Sequence, residues 1–263
     1  MNFDIDRYLA TVEPLDDADI DYSTFASQPL RPEVLRTLRY MHDVEHHTTC
    51  YLRDLLVTSA HEDPEVTSFL AMWSFEEFWH GEAIAKILAV HDEASGRERV
   101  AATRRRVGRD RLRTLGFMAA STVTDSVVAI AMTWGAINEW TTQAGYLRLA
   151  ATADHPELAR LLRRIARQEG RHIDFYASQA EVRLEDPSAR KWVRRALRYK
   201  WQPVGSNVMP AVETAHLVRT LFDGEDGAKM ARRIDDRIHR LPGLDGLDLI
   251  AKVRAQHIPG VAA

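Results

Sequence analysis

Apolar residues recur three and four positions apart over long stretches of this chain, and no stretch shows the short strict alternation of apolar and polar residues that marks a strand. Proline and glycine lie mainly between these stretches. The first pattern is typical of amphipathic helices, and proline and glycine commonly separate such elements. The sequence therefore predicts an all-α protein.

Four long helices are predicted before residue 185, at about 32–60, 65–91, 112–151 and 158–184. The segments HEDPE and ADHPE supply turns within each pair, and a polar, arginine-rich crossover joins the pairs. Two helical hairpins with a long crossover make a ferritin-like four-helix bundle. Shorter helices are predicted at about 191–200, 211–221, 228–239 and 247–255. We therefore expect one domain, 1–263, with a bundle core at about 32–185 and a C-terminal helical appendage at about 186–263.

The two hairpins contain the same spacing: a proline is followed by a glutamate 13 residues later and by a histidine 16 residues later. The two sets are Pro64, Glu77 and His80, and Pro156, Glu169 and His172. A glutamate and a histidine three residues apart share one helix face, where both can bind one metal ion. One such pair occurs often by chance, but two at matching places in a repeat indicate a site.

The partner helix of each hairpin provides a glutamate at the same height. Glu45 and Glu77 each lie 16 residues from the turn at His61, and Glu139 and Glu169 each lie 15 residues from the turn at Asp154. At about 1.5 Å per helical residue, the members of each pair are level.

Four carboxylates and two histidines inside a bundle match the ligand set of di-iron carboxylate proteins. The predicted ligands are Glu45, Glu77, His80, Glu139, Glu169 and His172. Burying these carboxylates without cations would cost several kcal/mol each, so we predict two bound metal ions. Carboxylate and imidazole suit iron, with manganese as an alternative at one or both positions. The alternative without a metal is that all six are surface polar groups.

Four nearby residues have two interpretations each. His42 and His46 flank Glu45 at helical spacing and are either alternative ligands or, instead, one neighbour of a ligand and one solvated side chain; we do not count them among the ligands. Glu76 either hydrogen-bonds a ligand or faces solvent. Asp125 is either a buried acceptor near the site or the partner of an arginine.

The bulk properties exclude several classes of protein. The net charge is only −3, which gives no general attraction to nucleic acid, and Cys50 is the single cysteine, so no intrachain disulfide can form. The apolar stretch at 115–137 contains Asp125, which favours a core helix over a membrane span. The first residues lack the pattern of a secretory signal, so we expect a cytoplasmic protein.

The motifs EEFWHG, starting at Glu76, and QEGRH, starting at Gln168, resemble those of the soluble acyl-acyl-carrier-protein desaturases. Thr142 follows Glu139 by three positions, as a threonine follows the third-helix glutamate of that family. The segments Met209-Pro210-Ala211 and LPGLDGL are also similar to family segments. The resemblance runs from about Pro32 to the end of the chain.

The resemblance implies that the four glutamates and two histidines named above bind iron, and that Thr142 acts on the oxygen side of the metals. It also implies a homodimer, electrons from a ferredoxin and an acyl chain held on an acyl carrier protein. The chain departs from the family at Gln168, which replaces the acidic residue expected to support an opposing histidine.

These features predict a di-iron oxidoreductase that activates dioxygen and desaturates an acyl chain. One alternative keeps the metals but is a hydroxylase or N-oxygenase of a small metabolite, which would need a short, polar pocket. Another is a ferroxidase or iron-storage protein, which needs the same ligands together with a shell-forming surface. The arginine-rich crossover, with Arg97, Arg99 and Arg104 among its residues, is either a solvated surface or a docking site for an acidic carrier protein.

Overall fold

The computed structural model describes residues 3–108, 111–124 and 126–261, and among these residues there are helices and turns but no strands. The all-α prediction is confirmed. The helices are α1 (Ile5–Thr11), α2 (Thr24–Ser27), α3 (Pro32–Glu45), α4 (Thr48–Leu56), α5 (Pro64–Val90), α6 (Gly96–Arg106), α7 (Arg111–Val123), α8 (Ser126–Thr152), α9 (Pro156–Arg183), α10 (Pro187–Lys200), α11 (Ala211–Phe222), α12 (Gly224–Arg240) and α13 (Leu249–His257). A short 3₁₀ helix, Ser59–Glu62, precedes α5.

Helices α5 and α9 begin at equivalent points of the repeat. Pro64 and Pro156 occupy the first helical turn, where a missing N–H costs nothing. The residue before each proline caps the helix: Asp63 accepts hydrogen bonds from two backbone N–H groups, and His155 accepts one from Leu158. Because both helices begin at the same place in the repeat, their Glu-x-x-His pairs lie the same distance along them. The predictions for these two helices are confirmed.

The predicted first helix is wrong beyond Glu45. Helix α3 ends there, and α4 begins at Thr48. Between them the backbone tightens, with hydrogen bonds from the His47 N–H to the Val44 carbonyl and from the Cys50 N–H to the His47 carbonyl. The break follows directly on a predicted metal ligand.

The predicted continuous third helix is also wrong. Helix α7 ends at Val123 and α8 begins at Ser126. The Thr124 hydroxyl accepts a hydrogen bond from the Ser126 N–H at 3.1 Å, so a local side chain satisfies a backbone group that a continuous helix would pair internally. Asp125 lies outside the described residues.

The long helices pack as two pairs, α3 with α5 and α8 with α9, and α5 also contacts α9. Helix α10 packs on α8, and α11 packs on both α3 and α8. One buried apolar cluster includes Tyr8 of α1, Phe175 of α9 and Ile250 of α13. The C-terminal helices therefore share buried surface with the helices that bear the predicted ligands.

Part of the predicted polar crossover forms α6, which is held against α3 by an ion pair. Arg99 makes two hydrogen bonds, of 2.6 and 2.8 Å, to the buried Asp43 carboxylate. Arg104 and Arg106 donate to backbone carbonyls of His46 and Val208. These three arginines bind within the chain instead of facing solvent freely. Of the other crossover arginines, Arg109 lies outside the described residues, as do the side chains of Arg111 and Arg113.

Within the parts of the chain that the structure describes, no helix has both the length and the apolar character needed to cross a membrane.

Candidate metal centre

The structure brings all six predicted ligands into one buried cluster. They come from four helices, and each is 5% exposed or less. They are Glu45 on α3, Glu77 and His80 on α5, Glu139 on α8, and Glu169 and His172 on α9. The pairs that the sequence places level along each hairpin therefore meet in space.

The cluster divides into two overlapping groups of four, and in each group one ligand atom per residue lies within 4.8 Å of the others. Position A consists of Glu77, Glu139, Glu169 and His172. Position B consists of Glu45, Glu77, His80 and Glu169. Glu77 and Glu169 belong to both groups, so their carboxylates can bridge two ions, while each position has one further glutamate and one histidine of its own.

Both histidines direct Nδ1 towards the shared carboxylates. The Nδ1 atom of His172 lies 3.0 Å from Glu169 Oε2 and 3.0 Å from Glu77 Oε1. The Nδ1 atom of His80 lies 3.3 Å from Glu169 Oε1 and 3.9 Å from Glu45 Oε2. The oxygen and nitrogen atoms of the two positions therefore converge on small, enclosed spaces.

Despite these short distances, four of the converging atoms form no well-aligned hydrogen bond among the described residues: Glu45 Oε2, Glu77 Oε1, His80 Nδ1 and Glu169 Oε1. Buried polar atoms are nearly always paired, because an unpaired one costs about 1–3 kcal/mol. Four unpaired atoms that face one another fit metal ions, which would satisfy all of them. The hard oxygen and imidazole donors suit iron or manganese.

Without cations, the carboxyl groups hold protons more strongly than usual. Burial, together with repulsion from Glu77, raises the pKa of Glu45 well above its usual range. Burial and the charge of Glu169 raise the pKa of Glu77 to about 7, and the same two causes raise that of Glu139 well above its usual range.

Glu169 is the exception among the four carboxyl groups. Burial would raise its pKa, but the hydrogen bond with His172 and the close His80 imidazole outweigh burial and lower the pKa. The pKa of His172 rises well above its usual range, because hydrogen bonds to Glu169 and Glu76 outweigh its burial. The metal-free cluster is therefore stabilised by protons in place of metal ions.

Two aromatic side chains donate hydrogen bonds to the glutamates that belong to only one position. Trp73 Nε1 donates to Glu139 Oε1 at 3.1 Å, and the Tyr146 hydroxyl donates to Glu45 Oε1. Sequence reasoning did not assign either contact, although the signal is present. Tyr146 lies seven residues after Glu139, and Trp73 lies four residues before Glu77, so both share a helix face with a ligand.

Glu76 hydrogen-bonds a ligand, which is one of its two predicted interpretations. Its Oε2 lies 2.9 Å from His172 Nε2 and accepts a 2.9 Å hydrogen bond from the Tyr8 hydroxyl, while its Oε1 accepts from Arg171. Burial would raise the Glu76 pKa, but these partners, His172 first, lower it. Glu76 is therefore held as an anion. No sequence signal links Tyr8 to this site.

Gln168 occupies the equivalent place beside the other histidine. Its Oε1 lies 2.9 Å from His80 Nε2, and its Nε2 donates to the Glu13 carbonyl at 3.3 Å. The opposing histidine therefore keeps an acceptor, although this acceptor is a neutral amide instead of a carboxylate.

Neither His42 nor His46 joins the cluster. His42 Nδ1 lies 3.1 Å from Asp43 Oδ1, and His42 Nε2 accepts a hydrogen bond from the Gly96 N–H. The His46 ring packs against α5 at Gly81. Leaving both histidines off the ligand list agrees with this geometry.

A cavity of about 430 Å³, here called the main cavity, opens onto the carboxylates. Its inner end is lined by Glu45, Glu77, Glu139 and Thr142. Its walls are mainly apolar or aromatic and include Trp73, Ile130, Trp134, Tyr176 and Val204. The exposed residues Lys200, Gln202 and Asn207 also line it and provide a polar rim. Its volume is within the range of about 300–1,000 Å³ of small-molecule sites.

A small cavity of about 50 Å³ adjoins the main cavity at Thr142, which lines both. It is enclosed by apolar side chains of α3, α11 and α13, including Met41, Leu217, Leu221, Phe222 and Val253. The C-terminal helices therefore close the space next to the predicted oxygen-side residue.

A separate cleft of about 560 Å³ lies between α9 and α12 and shares no lining residue with the main cavity. Four arginines line this arginine cleft, together with the acidic residues Asp174 and Glu181; the arginines are Arg167, Arg171, Arg237 and Arg240. The cleft is also lined by the residues next in sequence to three predicted ligands, namely Trp140, Gly170 and Arg171. It therefore lies directly behind the metal centre.

Comparison of the chain with protein-family models and with curated proteins gives no match.

Proposed function

We propose that this protein is a ferritin-like di-iron oxidoreductase that activates dioxygen and removes hydrogen from an apolar chain, as an acyl-carrier-protein desaturase does. The observation that supports this best is the pair of overlapping four-residue groups opening onto the main cavity beside Thr142. Bridging glutamates, Glu-x-x-His pairs and an adjacent cavity are together typical of oxygen-activating di-iron sites in helical bundles.

Position A and position B would each hold one iron ion, with manganese as the alternative at one or both. Two redox-active ions would supply the activation of dioxygen when bound. The chain itself contributes the arrangement around them. Glu77 and Glu169 hold the two positions together, the outer hydrogen bonds fix both histidine rings, and the buried surroundings exclude water.

The shape and lining of the main cavity favour an acyl chain over a small polar metabolite. Apolar and aromatic walls would bind a chain that enters past the polar rim, and the small cavity offers further apolar space beyond Thr142. The Thr142 side chain lies where the chain would meet the carboxylates. Delivery of the chain by an acyl carrier protein, homodimer formation and a cytoplasmic location remain predictions of the sequence.

Either desaturation or hydroxylation requires an external electron donor. Reduction of one dioxygen to two waters takes four electrons and four protons, and desaturation of a C–C bond supplies two of each. Two electrons and two protons must therefore come from elsewhere, and hydroxylation, which forms one water, needs the same number. We propose an acidic carrier such as a ferredoxin, and the arginine cleft favours this because it is basic and lies behind the ligands. A ferroxidase takes its electrons from iron and would need no such donor.

The direct test is to reconstitute the protein with iron and to measure both iron content and acyl-chain oxidation. Two irons per chain are expected, together with loss of two hydrogens from an acyl-carrier-protein substrate by mass spectrometry when ferredoxin, its reductase and dioxygen are supplied. Glu77→Ala should abolish both. Thr142→Val should keep the iron and reduce product formation. Iron binding without any substrate oxidation would contradict the proposed reaction, and absence of iron binding would contradict the site.

A further inference from the structure

The two predicted metal positions have outer hydrogen bonds that match in place but differ in charge. Glu76 directly precedes the first Glu-x-x-His pair and supports His172 of the second, at 2.9 Å. Gln168 directly precedes the second pair and supports His80 of the first, also at 2.9 Å. Position A therefore has an anionic acceptor behind its histidine, and position B has a neutral one.

The remaining outer contacts are similar at the two positions. Each has one buried aromatic donor on the glutamate that it does not share: Trp73 on Glu139 at position A and Tyr146 on Glu45 at position B. Both histidines are fully buried, with Nδ1 towards the ligands and Nε2 outwards. Arg171, which pairs with Glu76, is the charged group that opposes part of the difference between Glu76 and Gln168.

The orientation of Gln168 is fixed by its own contacts. When a histidine binds a metal through Nδ1, its Nε2 carries the proton and needs an acceptor. The Gln168 amide oxygen meets that need, while its nitrogen donates to the Glu13 carbonyl. A flipped amide would place a donor against a donor and lose both contacts, so Gln168 serves as an acceptor without charge.

A carboxylate behind a metal-binding histidine makes the imidazole a stronger donor, because its negative charge stabilises positive charge on the ring. Tyr8 and Arg171 hold the Glu76 carboxylate in place. The Arg171 charge offsets that of Glu76 only in part, since the Arg171 side chain is 29% exposed and screened by solvent. An amide supplies the hydrogen bond but not the charge.

We propose that the two positions bind metal with unequal affinity, and that position A fills before position B. The inference rests on the proposed metal centre but not on the proposed substrate or reaction. It assigns Glu76 and Gln168 as positioning residues that set the order of filling. A protein with one ion bound, and a protein with different ions at the two positions, would follow from stepwise loading.

The test is a titration of the metal-free protein with Co²⁺, followed by calorimetry and by the visible absorption of bound Co²⁺. Two steps are expected, with dissociation constants that differ by about 10- to 100-fold. His172→Ala should remove the tighter step, and His80→Ala should remove the weaker one. A single step with two equivalent ions, or loss of the tighter step in His80→Ala, would overturn the proposal.

The matched substitutions exchange charge between the two positions. Gln168→Glu should tighten the weaker step, Glu76→Gln should weaken the tighter step by about tenfold or more, and the double substitution should reverse the order. Gln256→Glu, an exposed residue of α13, adds the same charge outside the site and should change neither step. Gln168→Glu keeps the test valid if Glu76→Gln fails to fold. No effect of Gln168→Glu on the weaker step would overturn the inference, whereas absence of any Co²⁺ binding would overturn the proposed function as well.

Discussion

At the scale of single residues, the main feature is a set of three carboxyl groups whose pKa values are raised by burial and mutual repulsion when metal is absent. Folding raises the pKa of Glu77 from 4.5 to about 7. A carboxyl group whose pKa is raised on folding stabilises the folded state below its ordinary pKa, and this contribution is lost as the pH rises through the folded value. The raised pKa values of Glu45 and Glu139 likewise favour the folded state at low pH. Glu169 has a lowered pKa and is ionised in both states near neutral pH, so it does not oppose them there.

We therefore expect the melting temperature of the metal-free protein to fall between about pH 5 and pH 8. Metal binding requires these groups to lose protons, so metal affinity and the stabilisation by metal should rise over the same interval. Thermal melts with a chelator and with added Fe²⁺ under anaerobic conditions would measure both trends. Glu77→Gln should flatten the metal-free curve. If the difference between the melting temperatures with Fe²⁺ and with chelator becomes smaller as the pH rises, this explanation is contradicted.

The convergence of the six predicted ligands could be foreseen because helical spacing fixes both the face and the height of a residue. Glu77 and His80 could be predicted from the spacing within their own helix and from the matching spacing in the second hairpin. Tyr8 could not be foreseen, since its hydrogen bond to Glu76 spans 68 residues of sequence and no local pattern specifies it. Tyr146 lies between these cases, because its spacing from Glu139 was visible but its function as a donor to Glu45 depends on how α8 meets α3.

At the scale of helices, α5 lies very close to the break after Glu45. A Cβ atom added to Gly81 would lie 2.7 Å from His46 Nε2, which is too close for the ring to remain where it is. Glu45 is the residue before His46, so movement of this ring would shift a ligand of position B.

Gly81→Ala is therefore expected to destabilise the protein by about 1–3 kcal/mol through overpacking, despite the better helix propensity of alanine. It should also weaken Co²⁺ binding at position B. Gly170→Ala is the matched control, because it follows Glu169 as Gly81 follows His80, and its added Cβ would meet only Gln143 Nε2 at 3.6 Å. Chemical denaturation and Co²⁺ titration of both variants would measure these effects. Equal stability of the two variants would show that His46 accommodates the methyl group.

Local capping signals decide which helix ends could be predicted from the sequence. Helices α5 and α9 have prolines in their first turns and capping side chains before them, so local chemistry fixes where they begin. The end of α3 and the division between α7 and α8 lie within long helical patterns. Propensity favours continuation there, but the structure has tight backbone turns after Glu45 and a hydroxyl cap at Thr124 instead.

At the scale of the whole molecule, the main cavity and the arginine cleft share no lining residue, although α8 and α9 contribute to both. The main cavity is also lined by α4 and the segment after α10, whereas the cleft is also lined by α12. Neither could be predicted from sequence, because each depends on how distant helices pack. Under the proposed function, this separation would let a substrate and an electron donor bind at the same time.

Charge reversal at Arg237→Glu together with Arg240→Glu should slow reduction of the iron-loaded protein by reduced ferredoxin about tenfold or more at low salt, since steering by the cleft would be lost. Reduction by a small uncharged reductant, photoreduced deazaflavin, should be unchanged. The control is the double substitution Arg195→Glu with Arg232→Glu, which changes the net charge by the same amount at two exposed residues outside the cleft lining. Stopped-flow absorbance of the oxidised iron centre would measure each rate. Equal slowing by the control pair would contradict docking at the cleft.

Residues 3–13 lie across the outer side of the centre and contact helices made much later in the chain. Tyr8 reaches Glu76, the Thr11 carbonyl accepts from Arg171, and the Glu13 carbonyl accepts from Gln168. During synthesis this segment leaves the ribosome before α5 and α9 exist, so its contacts cannot form as it emerges. Contacts that close such long loops form late in folding. We therefore expect Glu76 and Gln168, which support the two histidines, to gain their contacts with this segment late in folding, and a newly made chain to reach its full metal affinity only then.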